Sequence, residues 1–165
     1  MNLPKTVSST ATIRFQDCDP FNHLNNASYI NYFMNHREDQ LINIYDIDIY
    51  KMARNLGKSW VSNSNQIAYL KPAFLMEKVV LESQLIAFDT SNLKVEMRMY
   101  NSDKSHLKSV IWCGFTHFNL LKQEKEPHSE EFMSFFKSII NPVDSTRFED
   151  RISVLRTIKN TIQNA

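Results

Sequence analysis

Between Asp17 and Arg37 the chain sets out two acids, two histidines, five asparagines, two tyrosines and an arginine, in the order DCDPFNHLNNASYINYFMNHR. A carboxylate can attack a carbonyl carbon or take a proton from water. The unpaired N–H groups at the start of a helix, with the positive end of its dipole behind them, favour the negative charge that then develops on the carbonyl oxygen. One acid beside such donors is a minimal kit for acyl transfer. Asp17 or Asp19 and the helix start at Asn25 or Asn26 are the candidate groups, and His23 between them is either an acid–base group or a donor that holds the loop.

The elements that must position these groups are readable from spacing. Ala11 to Gln16 alternates apolar and polar residues as a half-buried strand does, and continued alternation puts Asp17 and Asp19 on one side with Cys18 on the other. Pro20 ends the strand, because it has no N–H and disfavours helix at Asp19. Asn25 or Asn26 can cap a helix on which Ile30, Phe33, Met34, Leu41 and Ile42 recur at helical spacing. Residues 1 to 6 read as a lead-in, and the helix as ending near Asn43.

A short helix over Asp46–Asn55 follows, with Gly57 as its cap, and then strands over Lys58–Leu70, Glu77–Phe88, Leu93–Tyr100 and Leu107–Leu121, with a possible bulge at Gly114. Glu130–Ile140 and Phe148–Ile162 read as two further helices, the second with Phe148, Ile152, Leu155, Ile158 and Ile162 on one stripe. A strand, a long helix and four strands joined by turns predict an α+β fold in which one antiparallel sheet wraps a central helix. Residues 1–125 form that domain and 126–165 a C-terminal helical extension of it.

DCDPFNHLNNASYINYF resembles the signature of the 4-hydroxybenzoyl-CoA thioesterase-like family of hotdog-fold acyl-CoA thioesterases, Asp-x-Asp-x-x-Gly-His-x-Asn-Asn-x-x-Tyr followed by an aromatic-rich helix with an Arg near its end. Asp17, Asp19, His23, Asn25, Asn26, Tyr29 and Arg37 match, and Asn22 stands where the family usually has Gly. IAYLKPAFLMEKV is similar to the family's Tyr-x-x-Pro strand end, with Met76-Glu77 where Gly-Asp is usual. The resemblance covers the first two-thirds to three-quarters of the chain. It implies a hotdog fold and hydrolysis of an acyl-CoA or acyl-carrier thioester. Asp19 would be nucleophile or general base, and the Asn26 N–H would polarise the carbonyl, with His23 in a positioning role. It also implies a homodimer or homotetramer with the site at the subunit interface, and neither metal nor organic cofactor. Asn25, Tyr29, Phe33 and Tyr69 are the candidate substrate-binding residues, Tyr29 being equally suited to core packing.

The remaining features narrow the field. A net charge of +1 gives no electrostatic reason to bind nucleic acid or an anionic membrane, and no apolar run reaches the roughly 20 residues that span a bilayer. Two cysteines make no disulfide framework, and with no apolar leader the expected location is the cytoplasm. Only 2 glycines exclude the glycine-rich phosphate loops. A haloacid-dehalogenase reading of Asp-x-Asp fails on Phe21, and a calcium loop on Pro20-Phe21. The five histidines have no metal-ligand spacing, and His117 reads as a core or interface residue.

Cys18 reads as a small buried residue rather than a nucleophile. Lys58, Lys71, Lys104 and Lys108 are the cations available to CoA phosphates, with Arg37 either paired to an acid such as Asp17 or solvated. Two rival functions remain: a non-catalytic acyl-CoA or acyl-carrier binding module, which Asn22 in place of Gly would favour, and a hotdog hydratase or dehydratase, whose His-Asp arrangement is missing.

Overall fold

The computed structural model describes residues 3–163, with side chains through residue 158. In chain order the elements are β1 (Thr6–Thr12), α1 (Tyr29–Tyr45), α2 (Ile49–Leu56), β2 (Lys58–Tyr69), β3 (Lys78–Phe88), β4 (Asn92–Asn101), β5 (Leu107–Asn119), β6 (Glu124–Lys125), α3 (Glu130–Ile139) and α4 (Phe148–Gln163). Single 3-10 turns at Phe15–Asp17 and Asn26–Ser28 flank the loop ahead of α1. The sheet is antiparallel in the order β1-β3-β4-β5-β2, with the two-residue β6 against the end of β5.

Period-two alternation explains the sheet's two coats. Val79, Leu81 and Leu85 of β3, Val95, Met97 and Met99 of β4, and Ile111 and Cys113 of β5 face inward, where they bury Tyr29 and Phe33 of α1. The alternate residues Ile86, Val110 and Trp112 form a second apolar layer on the outer face, closed by Phe148 and Ile152 of α4. Glu96 and Arg98 share that face. Glu96 is 0% exposed and holds Arg151 of α4 at 2.8 Å, Arg98 at 2.6 Å and the Trp112 indole at 2.8 Å. The C-terminal residues therefore complete the domain on both sides: Phe136 and Ile139 of α3 enter the inner core and α4 covers the outer face. The α4 stripe includes Ile162, whose side chain lies outside the described residues.

The structure corrects the first strand. It runs over Thr6–Thr12 rather than Ala11–Gln16, and of the expected lead-in over residues 1 to 6 the first two lie outside the described residues. β1 is held by pairing along β3, Thr6 against Gln84 through Thr12 against Lys78, which its run of Ser and Thr does not announce. Phe15–Asp17 coils instead of extending, so strict alternation does not govern the two acids. α1 runs two residues past Asn43 and ends where Asp46 turns left-handed at φ 58. The bulge expected at Gly114 sits across from it, on β2 between Ser62 and Ser64. Gly114 leaves the room that the Asn63 and Ser64 side chains fill.

Candidate active site

The loop between β1 and α1 is held by backbone–backbone hydrogen bonds and by the short side chains of Asp17, Asp19 and Asn25. Asp17 faces α1: its Oδ2 accepts from the Tyr32 hydroxyl at 2.8 Å, and the Tyr32 hydroxyl oxygen in turn accepts from the Arg14 N–H at 3.0 Å. Its carbonyl accepts from the Asn25 N–H at 2.9 Å. Asp17 is thus a brace between the loop and the helix, and its partner is Tyr32 rather than Arg37.

Asp19 makes a different set of bonds. Its Oδ1 accepts from the N–H groups of Phe21, at 2.9 Å, and His23, at 3.1 Å, which closes the turn around Pro20. Its Oδ2 accepts from nothing among the described residues. The same turn brings the Asp19 N–H to the His23 carbonyl at 2.8 Å and the Asn22 N–H to the Asp19 carbonyl at 3.1 Å, with Asn22 left-handed at φ 59. The loop is then tied to the segment after β2, Leu24 N–H to Ala73 carbonyl at 2.8 Å and Leu75 N–H to Asn22 carbonyl at 2.9 Å. The His23 ring stands edge-on to Phe74 at 5.1 Å, so what His23 gives Asp19 is its backbone donor.

The helix entry supplies the other half. Asn25 is the cap, its Oδ1 accepting from the Ala27 N–H at 3.0 Å. The Asn26 N–H has no acceptor among the described residues, while its carbonyl is pinned by the Tyr69 hydroxyl at 3.0 Å. Tyr69 meets Tyr29 edge-on at 5.1 Å, and the Tyr29 hydroxyl accepts from the Ala73 N–H at 3.2 Å. Burial pushes the Tyr29 phenol up, so it stays a neutral hydroxyl. A cleft of about 210 Å³ results, with Asp19, His23, Asn26, Tyr29, Tyr69 and Lys71 on its walls.

Of the other residues singled out in the sequence, Asn25 acts at the rim through its cap, and Phe33 lies in the inner core, 1% exposed, on the walls of neither this cleft nor the larger cavity described next. Lys58 pairs with Glu126, Lys104 with Glu82 and Lys108 with Glu77, which leaves Lys71 as the one of the four that lines the cleft. Cys18 donates to the Arg14 carbonyl at 3.3 Å, and burial together with the Asp17 and Asp19 charges raises its thiol, which makes it a poor nucleophile. His117 is buried among Trp60 and His128, with Nδ1 3.1 Å from the Glu126 and Pro127 carbonyls. Among the described residues no three His, Cys, Asp or Glu side chains gather closely enough to hold a metal ion.

A second cavity, of about 420 Å³, opens further along α1 between that helix, β2 and α3. Its walls are apolar apart from Arg37, Glu38, Ser62 and Asn65. Nothing in the sequence signals it, because it depends on α3 folding back over the inner face of the sheet.

The family model of the thioesterase-like superfamily matches residues 13–136, most of the chain. No curated protein matches the sequence. Among solved structures, the chain is similar to a Staphylococcus aureus protein in complex with CoA, at 16% identity and a TM-score of 0.75, covering 88% of this chain and 90% of that one. It is similar to a 1,4-dihydroxy-2-naphthoyl-CoA thioesterase from Synechocystis, at 10% identity and a TM-score of 0.72, over 81% of this chain and 95% of that one. A DHNA-CoA thioesterase from Staphylococcus aureus matches at 12% identity and a TM-score of 0.72, over 92% and 93% of the two chains. At such identities these likenesses show the fold, which is the hotdog fold that the sequence motif implies. No helix among the described residues is long and apolar enough to cross a membrane.

Proposed function

The chain belongs to the thioesterase-like superfamily, and from that premise we propose that it hydrolyses the thioester of an acyl-CoA or an acyl-carrier protein to the free acid and the thiol, in the cytoplasm. The observation that carries the reading is the pairing, across one cleft, of the Asp19 carboxylate and the Asn26 N–H. One carboxylate oxygen is fixed by two backbone donors, and the other accepts no hydrogen bond among the described residues.

The chemistry follows from those two groups. With the thioester carbonyl oxygen on the Asn26 N–H, the carbonyl carbon faces the free Oδ2 of Asp19. As a general base, Asp19 takes a proton from water while the water oxygen bonds to the carbonyl carbon. As a nucleophile, Oδ2 itself forms that bond. Either way the carbonyl electrons move onto the oxygen, where the N–H and the helix dipole stabilise them. Collapse breaks the carbon–sulfur bond and expels the thiolate. On the nucleophilic route water then cleaves the acyl-aspartyl anhydride and restores the carboxylate. CoA itself is part of the substrate, and the reaction calls for no other cofactor. Lys71, on the cleft wall, is placed to meet the negatively charged carrier moiety.

The binding-module alternative drew its support from Asn22. Asn is the side chain most tolerant of the left-handed conformation after glycine, and Asn22 adopts it with its side chain exposed, so the turn itself keeps the backbone shape that glycine would give. We also place a second copy of the chain along β2, as a homodimer or a larger homo-oligomer with the cleft beside the interface.

Free-thiol release from short, long and aromatic acyl-CoAs tests the reading. Wild type turns over at least one of them, and Asp19→Asn lowers kcat by about a hundredfold or more, the scale of positioned acid–base chemistry. Equal rates in the two proteins would move the chemistry away from Asp19. No turnover of any thioester, together with tight binding of CoA, would make the protein a binding module.

A further inference from the structure

Three arginines turn inward in this domain, and two of them are given carboxylates. Arg98 meets Glu96 at 2.6 Å and Glu82 at 3.0 Å, and Arg151 meets Glu96 at 2.8 Å. Arg37 is the exception. It is 8% exposed, donates from Nη1 to the Ser83 hydroxyl at 3.1 Å, and has no carboxylate within ion-pair distance among the described residues. The groups behind Ser83 are neutral too: its hydroxyl donates to Gln40 Oε1 at 2.5 Å, and Gln40 Nε2 donates to the Ser9 hydroxyl at 2.9 Å and the Leu81 carbonyl at 3.1 Å. Beyond Ser9 stands His36, which burial holds below its ordinary range. Burial likewise draws Arg37 down to about 10, so it keeps its charge at neutral pH. A buried cation without a counter-charge is among the most costly groups a fold can keep.

That charge lies on the wall of the 420 Å³ cavity. Among the described residues the only other ionisable group there is Glu38, whose Oε2 accepts from the largely exposed Tyr50 hydroxyl at 2.7 Å. The cavity lies further along α1 than the Asp19 cleft, and earlier along β2. Tyr29 and Tyr69 flank the cleft, while Met34, Arg37, Ser62 and Asn65 flank the cavity, so α1 and β2 run in opposite senses past both. From Asn26 to Arg37 is about 16 Å along the helix axis, and helical side chains lean back toward the N-terminus. A chain bound at its carbonyl by Asn26 would reach the guanidinium with its far end.

We propose that the cavity receives the acyl chain and that Arg37 pairs with a carboxylate at the chain's far end. The substrate class is then the ω-carboxyacyl thioester, the half-thioester of a dicarboxylic acid. A guanidinium fork receives a carboxylate through two parallel N–H···O bonds, which a terminal methyl or hydroxyl cannot reproduce. The apolar walls suit the methylene run between the two ends. The inference rests on the thioester reading, and two readouts separate the fate of each.

In the first, wild-type kcat/KM is compared for acyl-CoAs of equal length ending in carboxylate, hydroxyl or methyl, over six to twelve carbons. The carboxylate series leads by about tenfold or more, the value of a charged hydrogen-bonded pair. Arg37→Met abolishes or reverses the preference with little change toward methyl-ended chains, and Arg37→Lys keeps part of it. In the second, calorimetry measures binding of S-alkyl-CoA thioethers, which cannot be hydrolysed, with the same three end groups. A wild-type preference for the carboxylate thioether upholds the inference even where no thioester is cleaved, a result that would sink the hydrolytic reading alone. Equal binding of all three by wild type, or preference for methyl or hydroxyl ends, overturns the inference whatever the variants do. A loss in Arg37→Met that is uniform across the three end groups also overturns it, because that is the signature of a packing role.

Discussion

Asn22 and Met76 stand where the sequence motif usually has glycine, and both are left-handed, at φ 59 and φ 62. The backbone demand has outlived the residue that normally meets it. The site loop depends on Asn22, whose carbonyl accepts from Leu75 and whose N–H donates to the Asp19 carbonyl. A side chain with a Cβ and no local hydrogen bonding is strained there by roughly 1 kcal/mol or more. Asn22→Ala should therefore lower stability by about 1 kcal/mol and reduce turnover, whereas Asn22→Gly should leave both near wild type. Urea midpoints and thiol release read the two effects, and a harmless Asn22→Ala would deny the turn its role. Asp19, His23, Asn26 and Tyr29 stood out in the sequence through one short motif and Tyr69 through a second, and the five line one cleft. Phe33 could not be told from a pocket residue, since helix periodicity gives its face but not what fills the space opposite. The situation of Arg37 was illegible for the same reason: the walls that bury it come from β3, β5 and α3.

The outer face of the sheet shows how far an element can be read alone. Leu93–Tyr100 alternates like a strand with one wet side, yet Glu96 and Arg98 on that side are covered by α4 and joined to Arg151. Which strands pair, and which face a distant helix covers, are facts of tertiary structure; apart from β6, the strand and helix boundaries from α2 to α4 were readable within a few residues, while β1 and β6 were not. Burial alone would raise the Glu96 carboxyl, but the bonds from Arg151 and Trp112 and the Arg98 charge outweigh it and hold the group below its ordinary range. A carboxyl depressed in the folded state contributes stability above its unfolded value and loses it as the pH falls through the folded one. Glu96→Ala, which strands the Arg151 guanidinium and leaves Arg98 with Glu82 alone, should cost about 3 kcal/mol or more at pH 7. Wild type should shed that advantage as the pH drops below about 4.5, so the two proteins' denaturant midpoints converge in acid. A constant gap from pH 7 to pH 3 would mean that Glu96 acts through packing rather than charge.

At the scale of the molecule, β2 poses the question of what lies beside it. It is a 12-residue strand at the edge of the sheet, exposed over residues 61–66. Folded monomers guard such edges with lysine, proline or a covering loop. From Ser59 to Ala68 the strand carries no charged residue and no proline, and Val61 is 37% exposed. An antiparallel partner about a two-fold axis near Asn63 would pair this edge and set the start of its own β2 beside Tyr69, on the wall of the cleft. Sedimentation should accordingly give at least twice the 19.4 kDa of the chain. Val61→Lys, which adds the missing guard, should shift the mass toward the monomer, and turnover should fall in step as the cleft loses its neighbouring wall. A wild type that sediments as a fully active monomer at micromolar concentration would leave the edge unexplained and confine the whole of the chemistry to one chain.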